Sequence, residues 1–464
     1  MKAKKIFLIL VLTFLIATAT TLWVLVAVKH TNESFARETD PLLTSTAELA
    51  HVPVQPHTAM PSTTPIVPPP PETQPPTHSP MPSPTPEPTP IPSDKIIEIA
   101  DDYSALYASL NSISTHYNAM AVSLIAYDGN EYEYYSYQYG FADKGDNRLV
   151  DLNTKFRIAS LSKLTTVICA MTLVDDGSLD LDEDISVYLG YSVRNPNAPD
   201  TKITSRMLMQ HTSSIYESKA FEESRASQSS SSTKTLLEAN TSFRSVAPGS
   251  VYEYTNFGMS VLAAVCESIY GKTFDLFANE VLFAPLDIDA AYVPSRLTDT
   301  DNIAAIYGSD HSRALSVASQ LRVVDSADSN QLGHDHHLAQ GNLTISAVDY
   351  AKILVMLGNG GIYKDVRIIT EDSADEINNT NRINGANYEV GLSTRFSAVS
   401  YMPGEVGYWH TGSAFGTYTQ YVYSADNTNR GMVVFTTGAD TNRTDLGMLI
   451  MADDFFSIAW QELW

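Results

Sequence analysis

The sequence predicts an α+β fold whose sheet draws strands from both ends of a globular head. Three observations lead there. Apolar strand patterns occur early, at Met120–Tyr127 and Tyr132–Tyr139. They return late, at Gly407–His410, Gly416–Tyr423 and Met432–Thr437. Between them lie helical periodicities and loops. Strands at both ends and helices between them make the middle an inserted helical lobe beside a single sheet.

The head, residues 95–464, opens with Asp94 as a candidate N-cap. An amphipathic helix is expected from there to about Ser114, with Ile96, Ile97, Ile99 and Leu106 on its apolar side. Asp128-Gly-Asn130 is a hairpin signal that joins the first two strands. The tyrosines of 132–139 read as alternating core packing, with glycan stacking as the competing use. A helix follows from Ser160 through Leu164, Val167, Met171 and Leu173 to Gly177. Ser224–Ser232 reads as an exposed serine-rich loop, and a final helix as running from about Arg443 to Trp460.

Upstream of the head, residues 1–5 are a short tail bearing Lys2, Lys4 and Lys5. Ile6–Val28 is uncharged and mostly apolar. As a helix it is roughly 35 Å long, enough for a hydrocarbon core of about 30 Å. The lysines place the tail in the cytoplasm. Ala17-Thr-Ala19 resembles a cleavage site, but the apolar run is long for a cleaved signal, which favours an anchor. Within residues 29–94, seventeen of the chain's 24 prolines fall between Pro53 and Pro92, so this stretch cannot pack a core. Pro84–Pro90 reads as polyproline II, a semi-rigid spacer. The expectation is a single-pass membrane protein with its head outside the cytoplasm.

A net charge of −24 argues against a nucleic-acid partner. The two cysteines, Cys169 and Cys266, lie in apolar helical runs and read as buried free thiols.

The chemistry begins at Phe156-Arg-Ile-Ala-Ser-Leu-Ser-Lys163. Helical positions three apart share a face at about 5–6 Å, so Lys163 reaches the Ser160 hydroxyl. A desolvated lysine can act as the base that makes serine nucleophilic. Tyr254-Thr-Asn256 follows a Pro248-Gly-Ser250 turn and precedes an apolar helix. A phenol beside an ammonium group ionises more readily, so Tyr254 is a second proton carrier, and Asn256 an amide to orient substrate or Lys163. His410-Thr-Gly412 lies on a predicted strand edge, where glycine lets a substrate backbone approach. A second Ser-x-x-Lys, Ser231–Lys234, shows no helix start and reads as a decoy. His211 reads as structural. His334-Asp-His336-His337 raises a metal hypothesis that lacks a fourth ligand.

The order Ser160-x-x-Lys163, Tyr254-x-Asn256, His410-Thr-Gly412 resembles the serine beta-lactamase and penicillin-binding-protein superfamily, in its class C-like and D-alanyl-D-alanine carboxypeptidase branch. Tyr stands for the serine of the second motif and His for the lysine of the third. Ile203–Ser213 and Gln340–Tyr350 resemble two further family segments, so the likeness covers roughly residues 100–460. The resemblance implies an antiparallel sheet flanked by helices, an all-helical lobe, and a groove between them. It implies that Ser160 forms an acyl-enzyme and that Lys163 and Tyr254 share the acid and base work. The N–H groups of Ser160 and Ser413 would form the oxyanion hole, and His410 and Thr411 would meet a substrate carboxylate. No metal or organic cofactor is implied. The expected activity is a DD-peptidase acting on peptidoglycan stem peptides. A beta-lactamase, esterase or D-amino-acid peptidase is the alternative, as is a non-catalytic penicillin- or wall-peptide-binding module.

Overall fold

The computed structural model describes residues 93–227, 232–238, 240–325, 331–334 and 337–464. The chain divides into two compact units, Met1–Thr85 and Pro86–Trp464, and every described residue belongs to the second. The candidate anchor at 6–28 and nearly all of the proline-rich stretch therefore lie outside the described residues. Among the described residues, no helix is long and apolar enough to cross a membrane.

The strand Ala121–Asp128 (β2) is apolar on both faces, and all eight of its residues are buried. That pattern requires cover on both sides of the sheet. After the 129–132 turn the chain returns antiparallel as Glu133–Asp143 (β3). Beyond β3 lies Lys95–Glu98 (β1), paired in parallel with Lys95 opposite Glu133. This corrects the helix expected to start at Asp94. Branched Ile96 and Ile97 suit an extended chain, and the open edge of β3 offers them a ladder. The helix proper, Ser104–His116 (α1), starts nine residues later than Lys95. The sheet is therefore mixed rather than wholly antiparallel.

Asn381–Arg382 (β4), Glu389–Val390 (β5) and Arg395–Ala398 (β6) are short strands that the sequence reading did not find. Val406–Ala414 (β7), Thr417–Ser424 (β8) and Arg430–Thr437 (β9) are the expected late strands. The order is β1-β3-β2-β9-β8-β7-β6-β5-β4, with β9 antiparallel to β2, so the two ends of the head meet in the middle of one sheet.

Side chains alternate between two cores. Val122, Leu124, Ala126, Trp409 and Val434 face α1 and the last helix, Ile450–Leu463. Ile125, Tyr127, Tyr421, Val433 and Phe435 face Ser162–Asp175 (α2) and Ala347–Gly358 (α4), with Asn256–Tyr270 (α3) packed behind them. We label the last helix α5. It starts at Ile450 rather than Arg443, since 441–449 form a loop. Gln420 Oε1 accepts the Leu449 N–H there at 2.7 Å. Tyr134, Tyr135 and Tyr137 of β3 are buried, as core packing requires. Cys169 and Cys266 are buried free thiols. The serine-rich stretch is part helix, Lys219–Ser227, with Ser224 buried.

Phe455 of α5 is fully buried against the sheet. Phe455→Ala is expected to lower unfolding free energy by about 3–5 kcal/mol. Leu149→Ala, at a 61% exposed side chain, is expected to stay within about 0.5 kcal/mol of the parent. Denaturant melts of both variants check the contrast.

Candidate functional site

Ser160 sits in the 3-10 turn Ala159–Leu161 that leads into α2. Ala159, just before it, holds φ +49°, a left-handed conformation that costs an alanine energy. Ser162 pins this turn, donating from Oγ to Ala159 O at 2.6 Å while accepting the Leu343 N–H at 3.1 Å. One turn on, Lys163 is fully buried. Its Nζ donates to Ser160 Oγ at 3.1 Å, Asn256 Oδ1 at 2.8 Å and Gln340 O at 2.6 Å. A buried ammonium costs several kcal/mol unless its donors are met, and these three oxygens meet them.

Thr255 caps α3, its side chain accepting the Gly258 N–H at 3.3 Å. The cap sets Tyr254 just outside the helix and Asn256 at its first residue. Tyr254 Oη donates to Ser160 Oγ at 2.8 Å. The Ser160 oxygen thus lies between Lys163 and Tyr254. Asn256 orients Lys163, one of its two expected uses, and Glu217 Oε1 accepts the Asn256 backbone N–H.

The strand β7 completes the groove. Its pairing with β6 ends at Trp409 opposite Arg395, which leaves 410–414 with one unpaired edge. Gly412 lies against the serine turn. A Cβ there would stand 2.6 Å from Ile158 O and 3.0 Å from Ser160 N. The absence of a side chain at Gly412 therefore makes room for the Ser160 turn. Ser413 is the next residue on the same strand, partly exposed beside the groove.

His410 and Thr411 point to opposite faces, as successive strand residues must. His410 is 2% exposed. Burial, and then the charges of Arg395 and Lys163, hold its imidazole well below the ordinary histidine range. It is neutral across physiological pH. His410 therefore brings no positive charge to the carboxylate that the resemblance would have it meet. The charge next to the motif is Arg443, exposed in the loop before α5, whose Nη1 donates to Thr411 Oγ1 at 2.9 Å. Sequence reading missed Arg443 because it lies 32 residues beyond its partner, in a stretch taken for helix.

His211 also proves to be part of the surroundings. Its ring lies 4.5 Å from that of Tyr254, and its Nδ1 accepts the Thr255 N–H at 3.4 Å. Burial, then Lys163 and Arg395, keep it neutral as well. Its signal was its place near the end of Ile203–Ser213, a segment that resembles the family although His211 itself read as structural.

The other candidates fall away from this centre. Lys234 lies in the first turn of a helix, Thr233–Glu238, contrary to expectation, but its side chain is 54% exposed and 3.9 Å from Glu238. Ser231, Asp335 and His336 lie outside the described residues. His337 Nδ1 is 3.3 Å from Gln340 Nε2. Among the described residues no cluster of His, Cys, Asp and Glu fits a metal ion. A polar cavity of about 490 Å³, lined in part by Arg206, Gln210, Thr212, Ser250 and Asn384, includes none of these site residues.

A serine activated on both sides, facing an open strand edge beneath a helical lobe, defines the class of serine hydrolases that work through an acyl-enzyme. The beta-lactamase family model matches residues 110–451, and the chain belongs to that family, within the serine beta-lactamase and penicillin-binding-protein superfamily. D-alanyl-D-alanine-carboxypeptidase/endopeptidase AmpH of Escherichia coli K12 is 29% identical over 201 residues, 43% of this chain and 51% of that protein. Protein flp of Staphylococcus aureus MRSA252 is 23% identical over 151 residues, 32% of this chain and 30% of that protein. The match thus spans about half the length of the first relative and less of the second. Among solved structures, the octameric penicillin-binding protein homologue from Pyrococcus abyssi superposes with TM-score 0.59 at 18% identity, over 78% of this chain and 77% of that one. A class C beta-lactamase gives 0.58 at 16% identity, over 78% of this chain and 96% of that one. These likenesses establish the fold.

The neutral imidazoles carry a pH signature. Above the unfolded histidine value of about 6.5, neither state protonates them and native stability is fully present. As pH falls through that value, the unfolded chain takes up protons first and stability is lost down through the depressed native values. Between about pH 7.5 and about pH 5 the melting temperature is expected to fall less for His410→Gln than for the parent. Equal losses in thermal melts would show that His410 is protonated in the fold.

Proposed function

We propose that the chain is a DD-peptidase-like serine hydrolase acting on peptidoglycan stem peptides. The observation that carries this reading is the placement of Ser160 Oγ, 3.1 Å from Lys163 Nζ and 2.8 Å from Tyr254 Oη. With Lys163 donating to three oxygens as an ammonium, Tyr254 in its phenolate form takes the Ser160 proton. The serine oxygen attacks the scissile carbonyl, and the developing oxyanion meets the N–H groups of Ser160 and Ser413. Tyr254 then returns its proton to the leaving amine as the C–N bond breaks. Water hydrolyses the resulting ester by the same exchange in reverse.

The unpaired edge of β7 at 410–414 supports a substrate that binds as an extended peptide. Arg443 with Thr411 supports a free C-terminal carboxylate on the leaving residue. The carboxypeptidase activity named for the Escherichia coli relative agrees with that chemistry. Ile6–Val28 as an anchor and residues 29–94 as a spacer would hold the head at the cell wall, outside the membrane.

Incubation of the purified head with a D-Ala-D-Ala peptide and a fluorescent penicillin tests the reading. Release of D-Ala and labelling of the Ser160 peptide are expected in the parent and absent from Ser160→Ala. Release from an ester or lactam alone would move the assignment to an esterase or beta-lactamase. Labelling without turnover would make the chain a binding module. Arg443→Ala is expected to raise KM about tenfold or more for the free-acid peptide while leaving its C-terminal amide unaffected. Equal effects on both peptides would remove Arg443 from carboxylate recognition.

A further inference from the structure

Arg395 opens β6, opposite Trp409 of β7. Its guanidinium carbon lies 4.8 Å from the ring centroid of Tyr388, 5.1 Å from Trp409 and 5.7 Å from Tyr254. Its Nε is buried and has no hydrogen-bond partner. Among the described residues it has no carboxylate within ion-pair distance. A cation enclosed by aromatic faces gains from their quadrupoles, yet that gain is smaller than the cost of desolvating it without an anion. Such a charge persists in a fold when a neighbouring group needs it.

Three tyrosines, Tyr388, Tyr252 and Tyr254, feel this charge, and Tyr252 also hydrogen-bonds it; of the three, Tyr254 is the one in contact with Ser160. Tyr252 and Tyr388 hydrogen-bond each other at 3.0 Å, and burial pushes the Tyr252 phenol well above its ordinary range. His211 and His410 are neutral. Tyr254 lies among all of them. Ser160 and Lys163 face it from the start of α2, with Lys163 Nζ 5.0 Å from its ring centroid. His211 faces it at 4.5 Å from the segment before its own loop, and His410 at 6.3 Å from β7. Arg395 faces it from β6. The anions nearby are spoken for: Glu217 accepts the Asn256 N–H, and Glu253 stands 3.6 Å from Arg244. Tyr254 therefore lies between two fixed cations, with the neutral rings of His211 and His410 beside it.

We propose that Arg395 is a positioning residue for acyl transfer, supplying from β6 the fixed positive charge that stabilises the Tyr254 phenolate. The third motif, with an uncharged histidine at 410, does not supply that charge. This rests on the reading of Tyr254 as the proton carrier for Ser160. Tyr254 accepts the serine proton as its oxygen bonds to the carbonyl carbon, and it releases that proton to the leaving nitrogen. Arg395 favours the phenolate before the first transfer and again after the second.

The test uses the full head with Arg395→Met, Arg395→Lys and Tyr254→Phe. Tyrosine Cζ is labelled with carbon-13, and the resonance lost in Tyr254→Phe reports the ionisation of Tyr254 without requiring turnover. In parallel, acylation by the fluorescent penicillin is followed against pH. In the parent, Tyr254 is expected to ionise well before the bulk tyrosines. In Arg395→Met its titration and the rising limb of acylation should move together to higher pH by about one unit or more. Acylation at neutral pH should then fall about tenfold. Arg395→Lys should recover most of both. A parent Tyr254 that titrates with the bulk tyrosines overturns the inference, even if Arg395→Met fails to fold. An unchanged Tyr254 titration in folded Arg395→Met does the same. A shifted titration in a protein that penicillin never acylates supports the Arg395 assignment and rejects the acyl-enzyme reading instead.

Discussion

The structure depends on the buried ammonium of Lys163. With no exposure to water, it must find its hydrogen bonds inside the protein, and it finds them on three separate pieces of chain: the Ser160 turn, the first residue of α3, and the backbone at Gln340. The last two partners are 93 and 177 residues away. Losing any one leaves a buried charge short of an acceptor, which costs more than an ordinary hydrogen bond is worth. The helical lobe and the sheet-side turn are thereby held in one arrangement, and that arrangement defines the groove.

The same charge shapes its surroundings. Two histidines near it are kept neutral by burial and by the combined fields of Lys163 and Arg395. The site therefore concentrates positive charge deep in the groove and leaves its imidazoles without any. Arg443 stands apart at the exposed end of the strand, attached to the opposite face through Thr411. Inner charge is suited to proton transfer and outer charge to ligand recognition, and the pleat of β7 separates them.

Much of the fold was legible because its elements are periodic. The eight-residue apolar run of β2, the late triplet β7–β9 and the buried helix α2 each carry a pattern long enough to read. The short strands β4–β6 carry too little, since two to four residues have no period. β1 was misread because Ile96 and Ile97 fit a helical face as well as an extended chain, and only the free edge of β3 selects between them. The candidate site was legible where spacing alone brings groups together. Ser160 and Lys163 are three apart on one turn, and Tyr254 and Asn256 flank a threonine cap.

By itself the sequence determined the Ser160 turn, the two side chains that flank its hydroxyl and the ends-together sheet, because each rests on a pattern along the chain. Tertiary structure decided what each group's charge is. His410 looks like a strand-edge residue in the chain, and burial beside two cations makes it neutral. Gly412 reads as close approach of another backbone, and the Ser160 turn makes such an approach. Arg395 and Arg443 look like ordinary basic residues, and packing sets one beside Tyr254 and the other beside Thr411. Protonation and charge pairing depend on the field of everything nearby, and most of what is nearby here is more than ninety residues away along the chain.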